Sequence, residues 1–226
     1  MQNLNEIKNT FDLNQTRKFL KAIKGNKFEY YFKLIMAYQL SRMELVNIEW
    51  KDIDFENSTI TIYPISQKRN SRAYYSWEFK KKENLGRTFP LLPNLKNLLL
   101  DLREQQELNK FINKNYDITN ANFICLKDDG TRLNINTLSR NLRHIAKNND
   151  LPQILLSDLS KCLDSFVCQY ADSYDFYRAW TRFDCKFKKN LNLYENFSLS
   201  KNKKFLRALN NLLENATLSR KSDFEM

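Results

Sequence analysis

The chain has 226 residues, enough for one large domain or two small ones with a real core. With only three glycines it carries no GxGxxG and no Walker pattern, so glycine-rich phosphate loops are excluded, and scarce Gly and Pro favour a helix-rich fold. A net charge of +11 points to a polyanionic partner, nucleic acid being the usual one, although a Lys- and Asn-rich composition also raises charge for reasons unconnected with binding.

Cysteines stand at 125, 162, 168 and 185, none in a CxxC pair, and His144 is the single histidine. That set does not make a zinc site, so no metal and no small-molecule cofactor is expected. Cys162 and Cys168 fall in one helical pattern and read as small hydrophobes. There is no signal peptide and no apolar run near the roughly 18 residues that span a bilayer. The expectation is a reduced, cytoplasmic protein without a membrane partner.

In chain order, residues 15–24 place Phe19, Leu20 and Ile23 at helical spacing, with Asn14 or Asp12 as cap. Gly25 and Asn26 break the pattern. Residues 28–40 (FEYYFKLIMAYQL) are apolar almost all round, as in a helix buried in a core. A short helix runs from about Met43 to Ile48. The period then changes to two: STITIYPI (58–65) is a strand, AYYSWEF (73–79) a second and RTFPLL (87–92) a third. Around them cluster Lys68, Arg69, Arg72, Lys80, Lys81, Lys82 and Arg87, opposed only by Glu78 and Glu83. Leucines at helical spacing fill 94–112. ANFICL (121–126) predicts a short strand, DDG (128–130) a turn, and 136–149 a helix capped by Asn134 or Asn136. SDLSKCL (157–163) opens another helix, with Leu159, Cys162, Leu163, Phe166, Val167 and Tyr170 on one face and Ser157, Ser160, Lys161 and Asp164 on the other. Aromatic, basic text follows to Phe197. The last helix, 201–216, carries Phe205, Leu206, Leu209 and Leu212 or Leu213. The prediction is a single domain over 1–226, core about 11–215, mainly α with a small antiparallel β-sheet (α+β).

Three words at the joins carry a family resemblance. LSRMELVNIEWKDIDFENSTITI (40–62) matches in Glu44-Leu45 and in Trp50-x-Asp52-Ile53-Asp54; RTFPLLPNLKNLL (87–99) is a strand ending in Pro-Leu before a long helix; residues 122–160 give strand, turn, helix, loop and a final box. This order resembles the catalytic domain of the tyrosine recombinases, or phage integrases. The expectation is that these 226 residues do not include the family's separate N-terminal DNA-clamping domain, the chain being either a natural fragment or one whose clamp is supplied otherwise.

The resemblance implies metal-independent chemistry on double-stranded DNA. In the family a tyrosine attacks a phosphodiester and is linked to the 3′ phosphate. Two arginine forks grip the non-bridging oxygens, a hairpin lysine protonates the leaving 5′ oxygen, and histidine-type groups assist. Carried onto this sequence, the first arginine position is Ser41, with Arg42 one step along and turned about 100° away. The histidine position is Ser157 and the second arginine position is Ser160, with Lys161 adjacent. Lys82, eight residues before Pro90, stands where the lysine belongs, and Lys68 is a weaker candidate. Tyr194 is nearest to the nucleophile position; its other reading is packing against the last helix. A rival register sets Arg140 and Arg143 in the second box, with Tyr174 or Tyr177 in reach; otherwise those arginines are solvated helix charges or phosphate contacts.

Three functions remain open at this stage. One is a degenerate recombinase-like DNA-binding protein of a mobile element, contacting phosphates through Arg42, Lys68, Arg69, Arg72, Lys80, Lys81, Arg140, Arg143, Lys161, Arg178 and Arg182. Another is an active strand-transferase using Arg42, Lys82, Lys161 and Tyr194. The third is a protein-interaction module, pairing with itself or another recombinase through helix 201–216, whose stripe serves equally well to cover its own core.

Overall fold

The computed structural model describes residues 10–69, 77–170, 180, 191–192 and 203–215. Helix α1 (Leu13–Ala22) starts from a reciprocal cap: Asp12 Oδ1 accepts from Gln15 N at 2.8 Å and Gln15 Oε1 accepts from Asp12 N at 3.0 Å. Of the two caps the sequence offered, Asp12 is the one used. Gly25, at φ +75°, turns the chain into α2 (Glu29–Tyr38).

As its composition requires, α2 is buried on nearly every side. Its polar groups therefore find partners inside. Lys33 pairs with Glu29 at 2.6 Å and donates to Asn94 Oδ1 at 3.0 Å. Tyr31 Oη donates to the Ile124 carbonyl at 3.1 Å. Tyr38 Oη donates to the Pro90 carbonyl at 3.1 Å and accepts from Leu92 N at 3.2 Å. Ala37, in the last turn, has a carbonyl that accepts from the Trp180 indole at 3.0 Å.

After α3 (Arg42–Val46) and a 3-10 turn at Trp50–Asp52 come the strands: β1 (Ile53–Asp54), β2 (Thr59–Ile62), β3 (Ile65–Arg69), β4 (Trp77–Lys81), β5 (Arg87–Pro90) and, late in the chain, β6 (Leu191–Asn192). They form two sheets. One has the order β1-β2-β5-β6, antiparallel except for the parallel β5/β6 pair, with Ile60 opposite Phe89. The other is a separate hairpin of β3 and β4, with Ile65 opposite Lys81 and Lys68 opposite Glu78. The expected strand over 58–65 thus ends at Ile62, and the basic text after it pairs as β3. Of the expected strand over 73–79, residues 77–79 fall in β4, which runs on to Lys81, and residues 73–76 lie outside the described residues.

Helix α4 (Pro93–Ile112) has Pro at its first turn and no cap from Leu92; Asn210 Oδ1 accepts from Asn94 N at 2.9 Å instead. Residues 121–126 do not pair as a regular strand. They make two isolated bridges, Glu49 to Phe123 and Leu126 to Arg132, because the chain turns back at Gly130 (φ +79°) before a ladder can form. Helix α5 (Ile135–Asn148) starts at its Asn134 cap. The helix expected from 157 to 170 is broken into α6 (Leu156–Leu159) and α7 (Asp164–Tyr170), with a turn between.

Helix α8 (Lys203–Asn215) buries Phe205, Leu209, Leu212 and Leu213 and packs against α1, α4 and α7. The stripe that would have docked into a neighbouring subunit is therefore occupied by the chain's own core. Trp180 closes this side. It is fully buried, edge-on to Phe89 (5.1 Å between centroids) and to Phe205 (4.9 Å). The fold is mainly α with small antiparallel sheets, as composition and periodicity predict.

Trp180→Ala removes the largest buried side chain and strips the Ala37 carbonyl of its donor. The expected cost is about 3–5 kcal/mol, read as a lowered urea midpoint.

Candidate functional site

The two segments that carry the box serines are brought together. Gln39, the residue after α2, adopts a left-handed conformation (φ 51°), and its Nε2 donates to Asp164 Oδ1 at the start of α7. That bond ties the stretch entering Ser41 to the turn leaving Ser160, and α2 also packs on α6.

Ser41 is the N-cap of α3. Its Oγ accepts from Glu44 N at 3.2 Å, and its own N–H donates to Glu44 Oε2 at 2.8 Å. The other Glu44 oxygen lies 3.7 Å from the Arg87 guanidinium, which stacks 5.1 Å over the Phe89 ring; both charged side chains are buried. Arg87 is thus a structural cation under α3. Arg42, next to Ser41, is exposed.

Ser157 is exposed on α6. Ser160 Oγ donates back to the Ser157 carbonyl at 2.8 Å. Lys161 is exposed beside Asp158 at 4.0 Å. Asp164 is largely buried, and burial pushes its carboxyl up to about 6, with Gln39 and Lys161 opposing the rise.

The consecutive lysines Lys80, Lys81 and Lys82 at the end of the hairpin are presented differently. Lys80 and Lys82 are exposed, and Lys82 N donates to the Pro64 carbonyl at 2.9 Å. With Ser66, Glu83 and Asn84 the three line a shallow open concavity of about 460 Å³. Lys81 is the paired one of the three. Its ammonium sits 2.7 Å from Glu49 and 2.6 Å from Asp52, and 5.6 Å over the Tyr63 ring. Lys81, expected from the sequence to contact phosphate, is thus paired with two carboxylates.

Arg140 and Arg143 are exposed within the unbroken α5, and Arg143 Nε donates to the Ser139 carbonyl at 3.3 Å. Both residues of the rival register therefore lie mid-helix, ahead of the turn between α6 and α7. The side chains of Lys68 and Arg69, and all of Arg72, Tyr174, Tyr177, Arg178, Arg182 and Tyr194, lie outside the described residues.

No family model matches the chain. Over 108 residues it is 29% identical to a tyrosine recombinase XerC-like protein of Caldanaerobacter subterraneus subsp. tengcongensis, covering 45% of this chain and 28% of that protein. Among solved structures it is similar to XerA recombinase, with 13% identity, a TM-score of 0.57, and coverage of 84% of this chain and 64% of that one. It is similar to the Tn1549 transposon integrase in complex with transposon right end DNA, with 16% identity, a TM-score of 0.61, and coverage of 92% and 66%. The fold is that of a tyrosine recombinase catalytic domain. XerH recombinase bound to a palindromic difH substrate is a further neighbour, with 16% identity, a TM-score of 0.52, and coverage of 86% and 54%. The chain spans under a third of the XerC-like relative and less than two thirds of XerH.

In this recombinase fold the Trp50-x-Asp52-Ile53-Asp54 word is structural. Trp50 donates to Gln106 on α4 at 3.1 Å, Ile53 pairs with Ile60, and Asp54 accepts from Asn57 at 2.8 Å. Sequence reasoning missed Arg132, which donates to Val46 O and lies 3.4 Å over the Phe123 ring, tying the 128–132 turn to α3. It also missed the Gln39–Asp164 bond. A carboxylate on the serine-bearing face of an expected helix was the available signal, but no pattern in the sequence named its partner.

Among the described residues no group of three His, Cys, Asp or Glu side chains is placed to hold a metal, and no helix is long and apolar enough to cross a membrane. Cys125, Cys162 and Cys168 are free thiols. Burial pushes Cys162 up to about 12, as for an inert core cysteine.

Ser41→Ala removes a helix cap and is expected to cost about 1 kcal/mol in urea unfolding, whereas Ser160→Ala stays within about 0.5 kcal/mol. Asp164 gives a pH signature. Its folded pKa of about 6 lies above the ordinary aspartate value, so the folded state binds the proton more readily. This group's penalty is absent at low pH, grows as pH rises, and is complete above about 6. Asp164→Asn, which keeps an acceptor for Gln39, is expected to stabilise the protein at pH 7 by on the order of 1–2 kcal/mol, allowing for partial solvent access. The difference from wild type shrinks as pH falls and vanishes only below the ordinary aspartate pKa, at about pH 3, as read from unfolding midpoints across that range.

Proposed function

We propose that the chain is a duplex-DNA-binding protein of the tyrosine recombinase type that holds DNA without cutting it, in the setting of integration or recombination of a mobile element. The observation that carries this reading is the state of two hydroxyls. Ser41 and Ser160 occupy the positions to which the family resemblance assigns the arginine forks. Each hydroxyl is already committed to backbone, the first as acceptor from Glu44 N and the second as donor to Ser157 O. A serine hydroxyl has neither the charge nor the paired donors of a guanidinium. Removing one such donor typically costs about 10²–10³ in rate, and here two are replaced.

Binding does not require those forks. The exposed cations Arg42, Lys80, Lys82, Arg140, Arg143 and Lys161 can neutralise phosphates without defined geometry. Solved neighbours of this fold, the Tn1549 integrase and XerH, hold DNA in their structures. The net charge of +11 favours the same partner.

The test is a titration of duplex DNA at several salt concentrations, run beside a nicked suicide substrate. Affinity should fall steeply with salt, and Lys80→Met and Lys82→Met should each lower the log–log slope by about one. No denaturant-stable protein–DNA adduct should form. An adduct that disappears in Tyr194→Phe would overturn the reading and make Arg42, Lys82, Lys161 and Tyr194 the working set. Binding no tighter than that of an unrelated protein of equal charge would favour the protein-interaction module.

A further inference from the structure

Three lysines in a row, Lys80, Lys81 and Lys82, do not share one environment. The outer two are exposed. The middle one is only 13% exposed in its side chain and is gripped by Glu49 and Asp52. Those carboxylates are fixed in their turn. Asp52 Oδ2 also accepts from Glu49 N at 2.8 Å, and Trp50 N donates to the Asn122 carbonyl at 2.8 Å, so the whole Glu49–Asp52 turn is pinned to the body of the domain. Lys51 adds a second ammonium 3.1 Å from Glu49. Burial works against the Glu49 carboxylate, but Lys81 and Lys51 outweigh it and hold its pKa below the ordinary range, so it stays charged near neutrality.

The hairpin is separate from the main sheet. Its described bonds beyond the ladder, Ser66 Oγ to the Lys80 carbonyl and Lys82 N to the Pro64 carbonyl, are internal to it or to its root. The Lys81 pairs reach out of the hairpin to the body. Two carboxylates beside a phosphate-seeking surface weaken its field, so their presence calls for a compensating role.

We propose that Lys81 is a positioning residue: its ammonium, clamped between Glu49 and Asp52, fastens the β3–β4 hairpin to the Trp50–Asp52 turn and so aims Lys80 and Lys82 at a DNA backbone. This rests on the DNA-binding reading above and assigns Lys81 itself no contact with DNA. Breaking one side of such a pair is costly because the other side is left buried and unpaired, so the clamp resists thermal opening of the hairpin.

The decisive variant is the double substitution Glu49→Gln and Asp52→Asn in the full chain. It makes the protein more positive by two charges, and electrostatics alone would tighten binding to a random-sequence duplex. The clamp predicts the opposite sign: roughly three- to tenfold weaker binding, with faster amide exchange at Ile65–Arg69 and Trp77–Lys81 and unchanged exchange in α2. Lys81→Met should show the same exchange pattern, and Lys81→Arg should restore protection and affinity together. Tighter binding by the acid-neutralised variant, with hairpin exchange unaltered, would overturn the proposal. If the wild-type chain shows no salt-dependent duplex binding, the DNA-binding reading fails, and the exchange pattern of Lys81→Met still decides whether the clamp exists.

Discussion

A helix with no free face sets the terms for this structure. Because α2 is apolar nearly all round, every neighbouring element must cover part of it, and each polar atom it carries must be satisfied inside. Its tyrosine hydroxyls reach the carbonyls of Ile124 and Pro90, Lys33 reaches Asn94, and the Ala37 carbonyl is met by Trp180. These bonds are few and specific. They fix where the 121–126 segment, the end of β5, the start of α4 and Trp180 sit. The end of α2 then delivers Gln39 and Ser41 to the site at a fixed angle, through a left-handed residue locked by Asp164.

That arrangement explains why serines at these two places are compatible with the fold. Ser41 lies at a helix start and Ser160 at a turn after α6, and neither belongs to the core. A serine in each place finds local backbone to bond: it is a favoured N-cap residue and a common turn residue. Hydrogen-bonding groups at these places are thereby satisfied locally. The fold's stability and its phosphate-gripping capacity are carried by different atoms.

Much of the fold was legible because its signals are local and repeated. The periodic leucines of α4, the Asn134 cap of α5 and the alternation in β2 each gave their element directly. What was not legible depended on partners far along the chain. Nothing in the run Lys80-Lys81-Lys82 distinguishes the middle residue; its burial follows from the pairing of β3 with β4 and from acids about 30 residues upstream. The acid in Trp50-x-Asp52 was the one hint, since a carboxylate in a buried turn needs a cation. Trp180 was hidden for the same reason, its hydrogen-bond acceptor lying 143 residues away. The break between α6 and α7 is local, but an apolar face running through Leu159, Leu163 and Phe166 masked it by preserving helical spacing across a turn.

Phosphate binding and strand cleavage depend on geometry in different ways. Neutralising phosphates is close to additive: each cation within reach contributes, and displacement of one by a few ångströms is tolerated through long flexible stems. Stabilising a transition state is not additive in that sense, because paired donors must stand within a fraction of an ångström of oxygens whose charge is still developing. A hairpin with exposed Lys80 and Lys82 and an α5 with exposed Arg140 and Arg143 suit the first demand, and a serine hydroxyl does not suit the second. The clamp on Lys81 belongs between these limits. It contributes no charge to the ligand, yet it narrows the positions that Lys80 and Lys82 can occupy, and that ordering, fixed before DNA arrives, is what separates a site from a merely positive surface.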